Sequence, residues 1–436
     1  MISVIGLGKM GLPFAVEVAM AGEEVTGCDV SDRVVLKVQK GEAPFDGEAN
    51  LATKLKQVVS SGHLLATTET KAAVKNSSTV VVLVPVYVDE HGVSDFRVID
   101  SVTRQIGEAI TPGTLVTYET TLPVGTTRNR FAAEISKISG LRPGEDFFVA
   151  FSPERVSSGS VFRDLKRYPK LVGGINEASA RKAKDFYEKV LSFDERPDLK
   201  KPNGVWVLSS SEEAELAKLA ETTYRDVNIG LANQFAAYAE SIGADIYEVI
   251  EACNSQPYSH IHNPGIAVGG HCIPVYPHMY LQGDSEATVV HAARAANKSV
   301  PARMIQLVEQ ELAGLQGKKI AILGLAYRAG VKEHAFSGAL DLVAEAEKRG
   351  AVAAVSDPMY SEQEINDLGF DAFKLGDNCD AVILHTSHVE YQTLKSSDLP
   401  GARVLIDGRN TASTKIKSEI KTYVLGKGFD LSSPSS

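Results

Sequence analysis

The chain is poor in cysteine. Its 436 residues hold four, Cys28, Cys253, Cys272 and Cys379, far apart and with no C-x-x-C pair. That spacing excludes a zinc knuckle and a disulfide framework, predicts no metal centre, and suits a reducing cytoplasm. Positive charge is also scarce. The 45 Lys and Arg are outnumbered by 55 Asp and Glu, a net charge of -10. With no basic footprint to neutralise phosphates, a nucleic-acid partner is excluded, whereas a small anionic substrate needs only a few local cations. Long apolar runs are missing too. Val80-Val81-Val82-Leu83-Val84 stops at Pro85, too short to cross a bilayer and suited to a buried strand. Met1-Ile2-Ser3-Val4-Ile5 runs straight into a glycine loop, leaving no room for a leader peptide.

What is present is globular. Apolar residues make up 44% and charged residues 23%, and the length predicts two or three domains. Short apolar runs at 2–5, 24–28, 80–84, 115–117 and 147–150 alternate with helical patterns, which predicts a parallel sheet with helices on both faces. From 210 to 242 apolar residues recur near a 3.6 period with no proline, and this predicts a long linking helix with helical patterning to about Ala252. A loop rich in Pro and Gly is expected over 256–277, then helix to about Leu315. Runs at 320–323, 351–355, 381–384 and 404–406, punctuated by Gly324 and Asp357, predict a second doubly wound unit. The tail from Ser432, Ser-Ser-Pro-Ser-Ser, predicts disorder.

Gly6-Leu7-Gly8-Lys9-Met10-Gly11 spells G-x-G-x-x-G between the first strand and a helical pattern. Gly6 permits the tight turn, Gly8 admits a pyrophosphate to the backbone, and Gly11 lets helix and strand pack closely. The next strand ends at Asp29, 18 positions after Gly11. An acid there accepts ribose hydroxyls and repels a 2′-phosphate, so NAD is expected rather than NADP, although nearby Arg33 favours phosphate. A structural glycine turn with a capping Asp is the alternative.

Three more segments carry chemistry. In Gly269-Gly270-His271-Cys272-Ile273-Pro274 the glycines leave Cys272 approachable, and a thiolate there attacks an aldehyde to give a thiohemiacetal that loses hydride to NAD. A small buried cysteine beside a turn is the plainer reading. Lys218 falls among apolar neighbours in the long helix, with Thr222 one turn later on the same face. A lysine buried there exchanges protons or holds an oxyanion; a snorkelling lysine is the alternative. Glu119-Thr120-Thr121-Leu122-Pro123-Val124-Gly125 and Ser152-Pro153-Glu154-Arg155 follow strands and offer hydroxyls and a carboxylate, or are ordinary turns.

Together these segments resemble the UDP-glucose/GDP-mannose dehydrogenase family over nearly the whole chain. Gly324-Leu325-Ala326-Tyr327-Arg328 and Asp407-Gly408-Arg409-Asn410 resemble its C-terminal nucleotide-binding segments, and the Ser152–Arg155 and Gly269–Pro274 spellings lean towards its bacterial N-acetylhexosamine branch. The resemblance implies an α/β fold of two Rossmann-like doubly wound domains joined by a long central helix that dimerises. The expected segments are an NAD-binding domain over 1–203, a central helical region with the nucleophile loop over 204–300, and a nucleotide-sugar-binding domain over 301–436. It implies oxidation of a sugar C6 hydroxyl to the acid with two NAD, the substrate being UDP-glucose or a UDP-N-acetylhexosamine. Cys272 is then the nucleophile, Lys218 the oxyanion stabiliser, and Thr121 and Glu154 the holders of the water. Gly6, Gly8, Lys9, Met10, Gly11, Asp29, Arg33, Val84, Pro85 and Thr121 form the implied cofactor set. Glu154, Arg155, Val156, Lys218, Asn263, Gly265, Gly269, Tyr327, Arg328 and Arg409 form the implied substrate set.

The chain also departs from the family pattern. Thr222 stands where the family has Asn and Tyr276 where it has Asp, both at catalytic positions associated with activating water and aligning the oxyanion. Tyr258 replaces an Arg that reaches the partner's substrate, and Ala267, Ala335, Gly338 and Gln234 are further changes. These point to an altered base or sugar preference, such as dTDP-glucose. Two other readings compete: a β-hydroxyacid dehydrogenase, which leaves the second sheet unit and the Cys272 loop unexplained, and a nucleotide-sugar binding protein that has lost turnover.

Overall fold

The computed structural model describes residues 1–89 and 91–430. The expectation for the tail from Ser432 lies outside the described residues. The chain folds into two compact units, Met1–Glu221 with His278–Asp284, and Thr222–Pro277 with Ser285–Ser436.

The first unit is built on eight strands: β1 (Ile2–Ile5), β2 (Val25–Cys28), β3 (Leu64–Thr67), β4 (Thr79–Val82), β5 (Leu115–Tyr118), β6 (Phe148–Phe151), β7 (Lys170–Gly174) and β8 (Val205–Leu208). Their spatial order is β8-β7-β6-β5-β4-β1-β2-β3. The six strands β3-β2-β1-β4-β5-β6 are parallel, and at the far edge β7 and β8, parallel to each other, run antiparallel to the rest. The 3-2-1-4-5-6 order reverses between β1 and β4, and such a switch point opens a ligand crevice at the carboxyl ends of those strands. Being covered on both faces, the strands read as continuous apolar runs: every residue of β1 and β4 is buried. Helix α1 (Gly11–Met20) sets Leu12, Phe14 and Val16 into the core with Val4, Val81 and Leu115. Helix α2 (Asp32–Gln39) starts at Ser31, whose hydroxyl accepts the Val34 N–H. Helix α3 (Glu177–Val190) buries Tyr187 beside Phe14.

Helix α4 (Ser211–Ile242) is the long helix expected from the periodicity over 210–242, and the helical patterning expected on to about Ala252 falls in a second helix. Gly243 takes φ +70° and Asp245 caps a separate helix α5 (Ile246–Asn254), its side chain accepting the Tyr247 N–H. The loop expected to Pro277 ends earlier, because a helix starts at Tyr276 (Tyr276–Gly283). Helix α6 (Thr288–Leu312) stops short of Leu315, where Ala313 turns to φ +57°.

The second unit has six strands: β9 (Lys319–Leu323), β10 (Val352–Ser356), β11 (Ala381–Leu384), β12 (Val404–Asp407), β13 (Lys421–Val424) and β14 (Gly428–Phe429), in the order β10-β9-β11-β12-β13-β14. All pair in parallel except β14. This is also a doubly wound sheet, with its switch point between β9 and β11. Both sheets use the same device, an acid at the end of the second strand that fixes the loop after the first. Asp29 accepts the Leu7 N–H at 2.9 Å and Asp357 the Ala326 N–H at 2.8 Å. In the second unit His388 Nε2, 3.2 Å from Asp357 Oδ2, covers the acid.

Candidate functional site

In the first unit the glycine loop sits at the switch point. A Cβ on Gly11 would lie 1.8 Å from the Gly6 carbonyl oxygen, so helix α1 approaches β1 this closely only with glycine there. Gly8 is the opposite case: a Cβ there would meet nothing within 4 Å, leaving the backbone open to a ligand. No side chain caps the first turn of α1, where Leu12 N–H bonds the Gly8 carbonyl at 3.1 Å and Pro13 has no N–H, and the helix dipole points its positive end at the loop. Gly8 and Lys9 are exposed, and Met10 packs partly on the core. Asp29 uses one carboxylate oxygen for Leu7 N–H and the other for Ser31 N–H; each keeps a lone pair for a hydroxyl. Arg33 is exposed on the first turn of α2. Strand β4 ends at Val82, not Val84, though Leu83 N–H still bonds the Ile5 carbonyl. Val84 is buried and Pro85, without an N–H to continue the ladder, is exposed. These features fit a dinucleotide pyrophosphate and ribose.

The threonine loop follows β5. Thr120 Oγ1 donates to the Val84 carbonyl at 2.6 Å, Thr121 is buried, and Gly125 turns at φ +86°. Glu215 of α4 holds the loop's end. Its carboxylate accepts Gly125 N–H at 2.5 Å, Thr127 N–H at 2.8 Å and the Thr127 hydroxyl at 2.7 Å. Burial pushes this carboxyl up to about 7, against the pull of those three donors. One turn later on α4, Lys218 is 7% exposed and its ammonium donates to the Glu154 carbonyl at 2.6 Å. Thr222 is buried on the same helix.

The Glu154 carboxylate is clamped by its own turn. Oε1 accepts the N–H groups of Arg155 at 2.6 Å and Val156 at 2.8 Å. Arg155 pairs with Glu221 at 2.8 Å and donates to the Pro169 carbonyl. Thus the structure brings Glu154, Arg155, Val156 and Lys218 together.

The second unit carries Cys272. Its loop is anchored twice: Ile266 is fully buried in the core with Met304, Ile322 and Ile406, and Gly270 N–H bonds the Ala335 carbonyl at 3.0 Å. A Cβ on Gly269 would lie 2.6 Å from Tyr327 Cβ, and Gly270, at φ +88°, would meet the Tyr327 ring at 3.0 Å, so the glycine pair is what lets Tyr327 lie against the loop. Cys272 is exposed, and its carbonyl accepts the Val275 and Tyr276 N–H groups that open the following helix. His271, its neighbour, is engaged elsewhere: Nε2 lies 3.5 Å from Glu333 and the ring stands edge-on to Phe336. Asn233 of α4 accepts Gly265 N–H at 2.9 Å and is itself tied to Asn297 of α6. Arg409 packs over Gly265 and donates to the carbonyls of His385 and Ala267. Arg328 is exposed above the Tyr327 ring, and Asn263 is exposed at the head of the loop. So Gly265, Gly269, Tyr327 and Arg409 meet around one loop, while Arg328 and Asn263 stand at its solvent side.

Family models match three stretches of the chain: the NAD binding domain of the UDP-glucose/GDP-mannose dehydrogenase family over residues 1–191, its central domain over 212–299 and its UDP binding domain over 321–414. The chain belongs to the UDP-glucose/GDP-mannose dehydrogenase family. As a member it is an NAD-dependent oxidoreductase acting on CH–OH, a nucleotide-sugar dehydrogenase. It is 33% identical to a UDP-N-acetyl-D-mannosamine dehydrogenase of Pyrococcus horikoshii, over 94% of this chain and 95% of that one. The structure of a UDP-D-ManNAc dehydrogenase from the same organism superposes with a TM-score of 0.86 at 30% identity, covering 98% of this chain and 99% of the other. A UDP-glucose dehydrogenase from Pyrobaculum islandicum gives 0.85 at 28%, covering 98% and 97%. No helix among the described residues is long and apolar enough to cross a membrane.

Glu215 and Glu333, which hold the threonine loop and stand beside His271, were not marked by the sequence. Glu215 carried a usable signal: an acid three positions before Lys218, on the apolar side of a helix.

Proposed function

We propose that this family member oxidises C6 of a UDP-N-acetylhexosamine to the carboxylate through a thioester on Cys272, and that UDP-N-acetyl-D-mannosamine is its substrate. The sugar is supported by the relatives named for it and by the S-P-E-R and G-G-H-C-I-P spellings. The observation that carries the mechanism is the exposure of Cys272 on an anchored loop. Two other thiols are unsuited to attack: burial pushes Cys28 up to about 12 and Cys379 to about 11.

NAD, which the loop 6–11 and Asp29 would hold, would supply the hydride acceptor, one molecule for each oxidation. In the first, water held by Thr121 and Glu154 takes the C6 hydroxyl proton while C6 gives up a hydride, leaving the aldehyde. Cys272 Sγ, as the thiolate, then bonds C6, and the Lys218 ammonium stabilises the charge on oxygen. C6 gives up a second hydride as that oxyanion becomes the carbonyl of the thioester. Water held by Thr121 and Glu154 adds to C6, its proton goes to Glu154, and the S–C6 bond breaks to return the Cys272 thiolate. Thr222 and Tyr276, the two departures from the family pattern, are assigned to this last step. Arg155, Val156, Asn263, Gly265, Gly269, Tyr327, Arg328 and Arg409 serve as the substrate contacts.

Incubation with NAD and UDP-N-acetyl-D-mannosamine, UDP-N-acetyl-D-glucosamine, UDP-glucose or dTDP-glucose tests this. Two NADH per UDP-N-acetyl-D-mannosamine are expected. Two per dTDP-glucose only would move the specificity, and tight UDP-sugar binding with no NADH would leave a binding protein in place of an enzyme.

The second unit also supports a homodimer. On α4 the exposed Tyr224, Leu231, Phe235, Tyr238 and Ile242 recur at spacings of seven, four, three and four, one apolar stripe along the helix. Tyr238→Asp with Phe235→Glu is expected to halve the mass seen in sedimentation; an unchanged dimer would move the interface off α4. A cytoplasmic setting agrees with the four free thiols.

A further inference from the structure

Beneath the Glu154 turn lies a charged cluster that the steps above leave unused. Glu119, at the end of β5, has no exposed surface. It accepts from Lys170 Nζ of β7 at 2.7 Å and from the Tyr187 hydroxyl of α3 at 2.6 Å. Tyr187 is tied in turn to Thr117 of β5 at 2.9 Å and rests against Phe14 of α1. Lys170, 6% exposed, lies 4.9 Å from the centre of the Tyr187 ring. Its ammonium is 3.9 Å from Glu154 Oε2, the oxygen left over once Oε1 has taken two backbone N–H groups. The Glu119 carbonyl also accepts the Glu154 N–H at 3.1 Å.

A buried ion pair is a weak source of stability, since desolvating two charges costs about as much as their attraction returns. This one is placed to act on a third charge. We infer that Glu119, Lys170 and Tyr187 are positioning residues that hold the outer oxygen of Glu154 in place and set its charge for the hydrolytic step. The inference rests on the reading of Glu154 as the group that takes the proton from water. The groups facing Glu154 are Lys170 from β7, Glu119 from β5, its neighbour Arg155 with Glu221, and Lys218 from α4 through the main chain. Glu119 and Glu154 feel each other across Lys170. Burial pushes the Glu119 carboxyl up to about 7, the Lys170 ammonium pulls it down, and the negative charge of Glu154 pushes it up again. The charge of Glu154 is therefore felt at Glu119.

The test is the pH profile of kcat, read with the nucleotide sugar that yields two NADH. The acid limb marks the loss of a proton from the base. Lys170→Met removes a positive charge 3.9 Å from Glu154 and is expected to move that limb up by about one unit. Glu119 carries its charge only above about pH 7, so Glu119→Gln, a match for its neutral form, is expected to leave the limb within about 0.2 unit. Tyr187→Phe, losing only a hydroxyl, folds if the charge variants do not and is expected to leave the limb in place likewise. A shift at Lys170 with none at Glu119 is not produced by loosened packing. Glu154→Gln separates the two ideas. If it leaves the limb in place, the reading of Glu154 falls. If it removes the limb while the other three variants keep the wild-type profile, the positioning role alone is overturned. Infrared titration of the free enzyme gives a substrate-independent reading: protonated-carboxyl absorption that titrates near pH 7, to which Glu119 and Glu215 both contribute, kept in Glu154→Gln and reduced but not abolished in Glu119→Gln. An unchanged absorption in Glu119→Gln would also overturn the inference.

Discussion

Cys272→Ser is expected to lower steady-state turnover by about 10⁴-fold or more, and to cut the yield from two NADH per sugar to at most one. A cysteine is a few per cent thiolate at neutral pH and strongly nucleophilic, whereas a serine hydroxyl needs an adjacent base. The neighbouring imidazole is not offered for that task, since His271 stands beside Glu333 and Phe336. Removing the nucleophile from a group of residues that act as a unit costs nearly the whole rate, which sets the size of the effect. The first oxidation needs no covalent bond to the enzyme, so a residual single NADH with free aldehyde is the signature of a trap removed rather than a fold lost. Residue 272 is exposed, and the change is expected to alter stability by no more than about 0.5 kcal/mol. Counting NADH against product, alongside thermal denaturation, checks both statements. A serine variant that still yields two NADH per sugar at a comparable rate would remove Cys272 from the chemistry and leave the family's fold with a different mechanism.

Lys218→Ala is expected to lower kcat by about 10²–10³-fold, the usual loss when one donor to a developing oxyanion is removed. Lys218 is 7% exposed and its ammonium points to the Glu154 carbonyl, so it is held in place before any substrate arrives. Binding of NAD is expected to stay within about twofold, because the loop 6–11 and Asp29 lie on other elements of the sheet. The substitution also leaves the half-buried Glu154 carbonyl without this donor, a cost of about 1 kcal/mol that shows as a lower melting temperature. Lys218→Arg keeps the charge and is expected to recover little activity, since a planar fork does not fit where a compact ammonium sat. Rapid-mixing measurement of the first NADH separates the effects: a slower chemical step at unchanged NAD affinity is expected. If kcat falls less than fivefold while stability drops, the lysine serves the Glu154 turn and not the oxyanion.

Much of the site was legible because its signals are local. The glycine loop, Asp29 at the end of the second strand and the G-G-H-C-I-P run are short words whose physical meaning holds wherever they fold. The long helix was legible from period alone, its end at Ile242 included; the helical patterning beyond it belongs to a second helix, since Gly243 and Asp245 break the backbone. Strand β7 was missed because it opens with a charged residue, Lys170, and charge inside a buried strand is decided by a partner 51 positions away. Strands β3 and β8 are short and at sheet edges, where half-exposed residues blur the alternation.

From its residues alone, then, this chain specified two parallel sheets, a cofactor loop, a long helix and a candidate thiol, since each depends on neighbours within a few positions. Folding in three dimensions settled the rest. It assigned Asp357 to His388 while leaving Asp29's outer lone pairs open, turned Glu215 into the clasp of the threonine loop, and buried Glu119 with Lys170 under Glu154. Those outcomes depend on burial and on charges brought together from distant segments, and no local pattern encodes the energy of such a meeting.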